Sequence, residues 1–321
     1  MGGERASLTR PEALDELAQA LRGRFGQRLR RGELLARHTT LGVGGPADLW
    51  LTVNSAAELA EAVGLAWQYA SPCLVLGCGA NLLVSDKGIR GLVIHNCGRQ
   101  VRLVEADPPR VLAESGVLLT SLVRRLVGWR LSGLEWAIGI PGTLGGAVVN
   151  NAGAYGRCMA DSLVRAQVLL PGGEPAWQGV EWFAYDYRSS RLKRPRPDTR
   201  AGVVLQAELA LSRQPRAEIE DRLAEYTSRR RASQPTGASA GSMFKNPGGD
   251  YAGRLIEAAG LKGVRVGNAH ISPLHANFFI NLGNATAADF MALIDLARRR
   301  VQAQFGVELE LEIQLAGEWD E

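Results

Sequence analysis

Two glycine-rich tracts constrain this chain more than any other feature. The first follows a short apolar run, Cys73-Leu74-Val75-Leu76, and reads Gly77-Cys78-Gly79-Ala80-Asn81. The second reads Gly139-Ile140-Pro141-Gly142-Thr143-Leu144-Gly145-Gly146 and continues through Asn150, Asn151, Gly153 and Gly156. Glycine within regular structure costs roughly 0.5–1 kcal/mol relative to alanine, so this density marks backbone that turns sharply or approaches something closely. Such loops let main-chain N–H groups reach an anion. Two of them in one region point to one extended ligand with a pyrophosphate, as in a dinucleotide. Position 82 is Leu where the Rossmann fingerprint needs Gly or Ala, and a further strand, Leu82–Val84, is expected where that fold places a helix. No G-x-x-x-x-G-K-[ST] motif occurs, which sets aside P-loop ATP chemistry.

The 321 residues suit two or three packed units. With 46% apolar and 22% charged residues, the balance is that of an ordinary globular protein. No run approaches the roughly 20 apolar residues that span a bilayer. The leading segment also lacks the apolar core of a secretory signal, so a cytoplasmic protein with no membrane partner is expected. Cys73, Cys78, Cys97 and Cys158 match neither zinc spacing nor a disulfide framework; reduced thiols and no metal are expected. Net charge is a modest +4 and aromatics are 6%. The basic clusters at Arg28–Arg31, Arg229–Arg231 and Arg298–Arg300 accompany no recognition motif, so they read as solvated faces and no nucleic-acid partner is expected.

Apolar spacing predicts a helix after Pro11 (Leu14, Leu17, Ala18, Leu21) and another opening at the Ser55-x-x-Glu58 capping box. Further helices are predicted near Leu119–Arg130, Glu218–Arg231, Tyr251–Ala259 and Ala287–Phe305. Strands are expected at Cys73–Leu76, Leu82–Val84, Leu92–His95, Val101–Ala106, Arg110–Ala113, Val164–Leu170 and Gly202–Leu211, the last with one apolar face. A final strand is predicted at Val307–Leu315, where alternating Glu308, Glu310 and Glu312 read as a solvated face. The class is α+β, with units expected at 1–96, 97–213 and 214–305 and a returning strand and tail at 306–321.

Longer motifs then occur in order. They are Leu76–Asp86, the Gly139–Gly146 tract, Asn150-Asn151-Ala152-Gly153-Ala154-Tyr155-Gly156 and Tyr187-Arg188-x-Ser190. Ala240-Gly241-Ser242-Met243-Phe244-Lys245-Asn246-Pro247, Ala259–Gly263, His275-Ala276-Asn277-Phe278 and Leu309-Glu310-Leu311-Glu312 follow. Together, over roughly residues 33–316, the chain resembles the UDP-N-acetylenolpyruvoylglucosamine reductase family. The resemblance implies a two-subdomain FAD-binding region of vanillyl-alcohol-oxidase type and a smaller C-terminal α/β substrate domain. It implies FAD as bound cofactor, NADPH as co-substrate and UDP-N-acetylglucosamine enolpyruvate as substrate, reduced to UDP-N-acetylmuramate for peptidoglycan, by a monomer.

By position, the resemblance puts Gly77, Cys78, Gly79, Ala80, Asn81 and Leu82 around the FAD pyrophosphate. Ile140, Pro141, Gly142, Thr143, Gly145, Gly146, Ala147, Asn151 and Gly153 fall to the flavin and its ribityl chain. Tyr155, Lys245, Asn246 and His275 fall to the substrate. Ser242 matches the proton donor, Arg188 the partner of the substrate carboxylate, and Glu312 the third catalytic group. The chemistry suits them: hydride addition to an enol ether leaves carbanion character beside a carboxylate, which a permanently charged guanidinium stabilises and a hydroxyl proton quenches. Without the resemblance none of the three stands out. Arg188 resembles a surface charge among Arg191, Lys193, Arg194 and Arg196; Ser242 resembles a turn or cap residue, and His275 a structural histidine.

Only 54 positions separate Arg188 from Ser242, so the chain resembles the shorter branch of the family, without its tyrosine-loop insert, and Tyr226 reads as helical. Ser233-Gln234-Pro235 lacks the basic residue some relatives place there, Arg231 being the substitute at hand, and Gln314 stands where a basic residue is common. Two other readings stay open on the sequence: an oxidase of the same flavin fold that uses oxygen, and a nucleotide-sugar sensor that keeps the pocket without turnover.

Overall fold

The computed structural model describes residues 10–193 and 202–319, so Arg194 and Arg196 lie outside the described residues. The chain opens with α1 (Arg10–Phe25), β1 (Leu29–Leu34), β2 (Pro46–Val53), α2 (Ala56–Gln68), β3 (Cys73–Leu76), β4 (Leu82–Val84) and β5 (Ile89–Asn96). Four of these strands form a sheet in the order β1-β2-β5-β3, with β1 antiparallel to β2 and both β2 and β3 parallel to β5. Parallel neighbours need a crossover, which α2 supplies. Leu17 and Leu21 of α1 and Leu59 and Val63 of α2 bury against Leu49, Leu51, Leu92 and Ile94 of the sheet. Half of the predicted capping box forms. Ser55 accepts from Glu58 N at 3.2 Å, but the Glu58 carboxylate accepts from Asn54 N and from both arms of Arg28 instead of reaching back to Ser55.

A second sheet is antiparallel throughout and contains β6 (Val101–Val104) and β7 (Arg110–Glu114). Its order is Ala176–Gly179, Leu163–Leu169, Val203–Ala210, β7, β6. Helices α3 (Leu119–Gly128) and α4 (Leu144–Asn150) cover one face, packing Leu122, Leu126, Leu144 and Val148 onto Val111, Ala113, Ala166 and Ala207. The prediction of a single apolar face on Val203–Ala210 needs correction. Leu205, with Leu169, turns the other way into the core of the first sheet, so this strand is buried on both faces. Helix α4 was not expected inside a glycine tract; Thr143 O accepts from Ala147 N at 3.0 Å to start it.

Helix α5 (Arg216–Ser233) packs Leu223 and Tyr226 onto the core of the second part, and the third part packs α6 (Ala252–Ala258) and α7 (Ala287–Phe305) with a three-stranded antiparallel sheet, Arg265–Val266, Ala269–Ile271 and Phe279–Asn281. Leu255, Ile256, Phe279, Phe290, Leu293 and Ile294 form a core that also takes in Leu41, Val43 and Leu83 from the first part. Asp86 fastens the two parts, its carboxylate accepting from Ala287 N at 2.9 Å and Ala288 N at 3.1 Å at the start of α7. The predicted strand Val307–Leu315 is regular only at Gln314–Ala316, which pairs in parallel with β4. Upstream, Leu309 and Ile313 are the buried positions. Both lie on the apolar side of the predicted alternation; the departure is Glu312, which is partly buried and lines the cleft where Glu308 and Glu310 are exposed. Among the described residues no helix is long and apolar enough to cross a membrane.

Candidate active site

A cleft of about 1230 Å³ opens where the two glycine tracts meet. The tract from Gly77 lies between β3 and β4, and the tract from Gly139 leads into α4. A Cβ on Gly77 would stand 2.6 Å from Thr143 Oγ1, and one on Gly79, where φ is +60°, would strike His38 O and come within 2.8 Å of Thr39 Cα. These glycines therefore let the protein's own segments touch. Gly142 differs: at φ +150° it lines the cleft, and a Cβ there would meet nothing within 4 Å. Its missing side chain leaves space for a ligand.

Of the residues expected at the flavin, Gly77 to Leu82, Ile140 to Thr143, Gly145, Gly146, Ala147 and Gly153 all line this cleft. Asn151 does not. It ends α4 in the left-handed region at φ +45°, its amide donating to Asp186 O at 3.2 Å and accepting from Ala160 N at 3.1 Å. The preceding Asn150 lines the cleft instead, donating to Gly146 O at 2.8 Å while its Oδ1 is buried with no hydrogen-bond partner. An orphaned acceptor of this kind costs about 1–3 kcal/mol unless a ligand supplies a donor. The charged side chains lining the cleft are Arg188, Lys193, Arg230 and Glu312, a set that favours an anionic ligand.

Arg188 rides on a tight turn in which Asp186 and Ser189 exchange both main-chain hydrogen bonds at 3.1 Å. Ser190 anchors that turn to α4 by donating to Val149 O at 2.6 Å. Arg188 itself is left-handed, at φ +53°, a conformation that costs a side-chain-bearing residue about 1–2 kcal/mol. Its Nε lies 2.8 Å from Glu312 Oε1, yet the N–H is aimed elsewhere and finds no hydrogen-bond partner. Glu312 is 17% exposed. Burial pushes its carboxyl above the ordinary carboxylate range, against the pull of Arg188, Lys193 and Lys245. The same burial lowers the Lys193 ammonium and the Arg230 guanidinium below their usual values.

Ser242 lines the main cleft and also a second cavity of about 350 Å³, so it stands where the two meet. Its segment is held by Asn277, which donates to Phe244 O at 2.8 Å and accepts from Phe244 N at 2.9 Å. Asn246 and His275 line the second cavity with Tyr251 and Arg254. Asn246 accepts from Ala252 N at 3.1 Å. His275 Nδ1 accepts from Asn277 N at 3.2 Å, which places the ring proton on Nε2, and burial holds the ring below its usual pKa. Lys245 and Tyr155 line neither cavity. Lys245 pairs with Glu310, and Tyr155 stacks on Tyr226 of α5 with centroids 4.5 Å apart and donates to Tyr226 O.

The structure thus brings Arg188, Glu312 and Ser242 to one cleft and Asn246 and His275 to its neighbour. Sequence reasoning assigned no role to Lys193 or Asn277, whereas the resemblance places Asn150 at the flavin with the rest of Asn150–Gly153. It offered Arg231 as a basic substitute, but Arg231 is exposed and Arg230 lines the cleft. No local pattern separates these residues from the polar neighbours on either side of them.

The fold and the glycine-lined cleft define a flavin-binding protein: a family model described as FAD binding domain matches residues 47–177, and the open space at Gly142 and the orphaned Asn150 suit that cofactor. A second model, UDP-N-acetylenolpyruvoylglucosamine reductase, C-terminal domain, matches residues 233–316. Relatives described as UDP-N-acetylenolpyruvoylglucosamine reductase include one from Chloroflexus aggregans, 43% identical over 89% of this chain and 97% of its own length. Another, from Moorella thermoacetica, is 45% identical over 89% of this chain and 92% of its own. The crystal structure of the Thermus caldophilus reductase superposes with a TM-score of 0.75 at 40% identity, covering 90% of this chain and 99% of that one. The chain belongs to the UDP-N-acetylenolpyruvoylglucosamine reductase family.

Proposed function

We infer that the protein uses NADPH and bound FAD to reduce the enolpyruvyl group of UDP-N-acetylglucosamine enolpyruvate to UDP-N-acetylmuramate, for peptidoglycan precursor synthesis. It acts as a cytoplasmic monomer. The observation that carries the reading is the meeting of Arg188, Glu312 and Ser242 at a cleft whose opposite wall is glycine loop. The loops 77–82 and 139–147 with Asn150 would hold FAD, whose chemistry would be to supply hydride to the terminal carbon of the enol ether.

The chain's own groups then deal with the charge left beside the substrate carboxylate. Arg188, permanently cationic and carrying an N–H without a partner, binds that carboxylate and stabilises the developing enediolate-like charge. Ser242 gives its hydroxyl proton to the carbon next to the carboxylate; a serine is a weak acid, but a carbanion is base enough to take its proton. Glu312, held toward its protonated form by burial, donates a hydrogen bond to the substrate carboxylate or orients Arg188. Asn246 and His275, in the adjoining cavity, hold the nucleotide-sugar portion, with Lys245 and Tyr155 flanking it.

The visible spectrum of the purified protein tests this. Flavin bands that bleach with anaerobic NADPH and return on adding the enolpyruvyl UDP-sugar are the expected result. Bands that return only with oxygen make the protein an oxidase, and a protein that cannot be reconstituted with FAD overturns the reading.

A further inference from the structure

We propose that Lys193 is a positioning residue of this active site, tying the turn that presents Arg188 to the segment that presents Glu312. The inference rests on the proposed reductase reading and extends it to a residue with no assigned role. Lys193 Nζ lies 3.2 Å from Arg188 O and 3.5 Å from Glu312 O, so one ammonium bridges the backbones of both catalytic candidates. The same Glu312 carbonyl accepts from Asn81 Nδ2 at 3.2 Å, and Gln314 N donates to Asn81 O at 2.9 Å. The carbonyl of Glu312 is therefore a node where the turn, the C-terminal segment and the flavin-side loop are joined.

Such a tie has work to do here. Arg188 sits left-handed in its own two-bond turn, and Glu312 hangs from the Ser242 segment, Glu312 N donating to Met243 O at 2.9 Å and Lys245 N to Glu310 O at 2.8 Å, so these main-chain bonds do not tie the two residues to each other. A cation shared between their carbonyls supplies the missing restraint. The ammonium also faces the Glu312 carboxyl and helps draw it down against burial. The charged groups acting on that carboxyl are Arg188 and Lys193 from the turn and Lys245 from the Ser242 segment, while Glu310 acts on the Lys193 ammonium.

The test follows substrate-dependent reoxidation of NADPH-reduced holoenzyme by stopped-flow across pH, in wild type, Lys193→Met, Lys193→Gln and Lys193→Arg. Removing the tie by Lys193→Met should slow reoxidation by about tenfold to a hundredfold, the range expected when reacting groups are misplaced by a fraction of an ångström to an ångström. It should also move the Glu312 limb of the profile to higher pH, because a neighbouring cation no longer favours the carboxylate. Lys193→Gln, which keeps a donor but no charge, should recover part of the rate while keeping the alkaline shift. Lys193→Arg should restore both rate and profile. If Lys193→Met fails to retain flavin, the Gln and Arg variants decide the matter. Wild-type rates and an unmoved limb in the Met or Gln variant overturn the proposal. A slowed rate with an unmoved limb reduces Lys193 to a structural role and overturns it too. Failure of wild type to be reoxidised by the substrate would instead strike the reductase reading, so the two failures are distinct.

Discussion

The two walls of the cleft are built on opposite principles. The glycine wall works by omission: Gly77 and Gly79 let segments of the chain touch, and Gly142 leaves space beside the ligand. The facing wall works by presence, with Arg188 and Lys193 from one turn and Glu312 from the C-terminal segment brought together, half-buried and electrostatically coupled. Damage to the first wall should cost fold and flavin together. Damage to the second should cost a single chemical step while the flavin stays bound.

The largest expected break in that contrast is Ser242→Ala. Loss of a positioned proton donor typically costs about 10²–10⁴-fold, and here the loss should fall on substrate-dependent reoxidation with NADPH-driven reduction intact. Stopped-flow traces of the two half-reactions check this; unchanged reoxidation removes Ser242 from the donor role. Arg188→Ala should slow the same half-reaction by about 10²–10³-fold, as for removal of a group that stabilises transition-state charge. Melting temperature should hardly move, and a change in stability alone would return Arg188 to the status of a surface charge.

Gly79→Ala tests the other wall. The new Cβ enters the left-handed region against His38 and Thr39, at a cost of at least about 1–2 kcal/mol from the backbone conformation alone. Thermal melts should show the loss, and flavin fluorescence should show release of FAD. A variant with native stability but weaker FAD would mean that Gly79 faces the ligand after all.

The smallest effect expected is in Glu312→Gln. The folded protein raises this carboxyl's pKa, so the native residue contributes its stability at low pH and loses it as pH rises through the raised value. The glutamine variant should therefore match wild type in acid and gain in relative melting temperature toward neutrality, while losing activity. A difference that does not change with pH would show that Glu312 carries no burial penalty.

The contrast also explains what could be read in advance. The glycine wall is local, each tract a continuous string whose composition already demands close approach, and nearly every residue expected there lines the cleft. The division of labour among those glycines was not legible, because whether a missing Cβ serves the chain or a ligand depends on what stands opposite, and Thr143 opposite Gly77 and His38 opposite Gly79 are distant in sequence. Arg188, Ser242 and Glu312 could be named only through the family resemblance. Each is ordinary among its neighbours, and burial, which no short pattern encodes for a single glutamate between others, is what distinguishes Glu312 from exposed Glu310. Val307–Leu315 misled for the same reason: the acidic alternation is real, and Leu309 and Ile313 keep its apolar side, but the face that carries Glu312 meets the cleft wall instead of solvent. Lys193 passed as a surface charge because its partners are main-chain carbonyls.

The pairing of β4 with Gln314–Ala316 has a consequence for how the protein is made. Asn81 and Glu312, which meet beside that pairing, are 231 residues apart, and synthesis runs at about 5–20 residues per second. For that interval the nascent polypeptide has emerged from the ribosome with its flavin loop made and the strand that pins it still unwritten. Cofactor capture should then wait until the chain has been made past residue 312, and chains stalled short of that residue should bind no flavin.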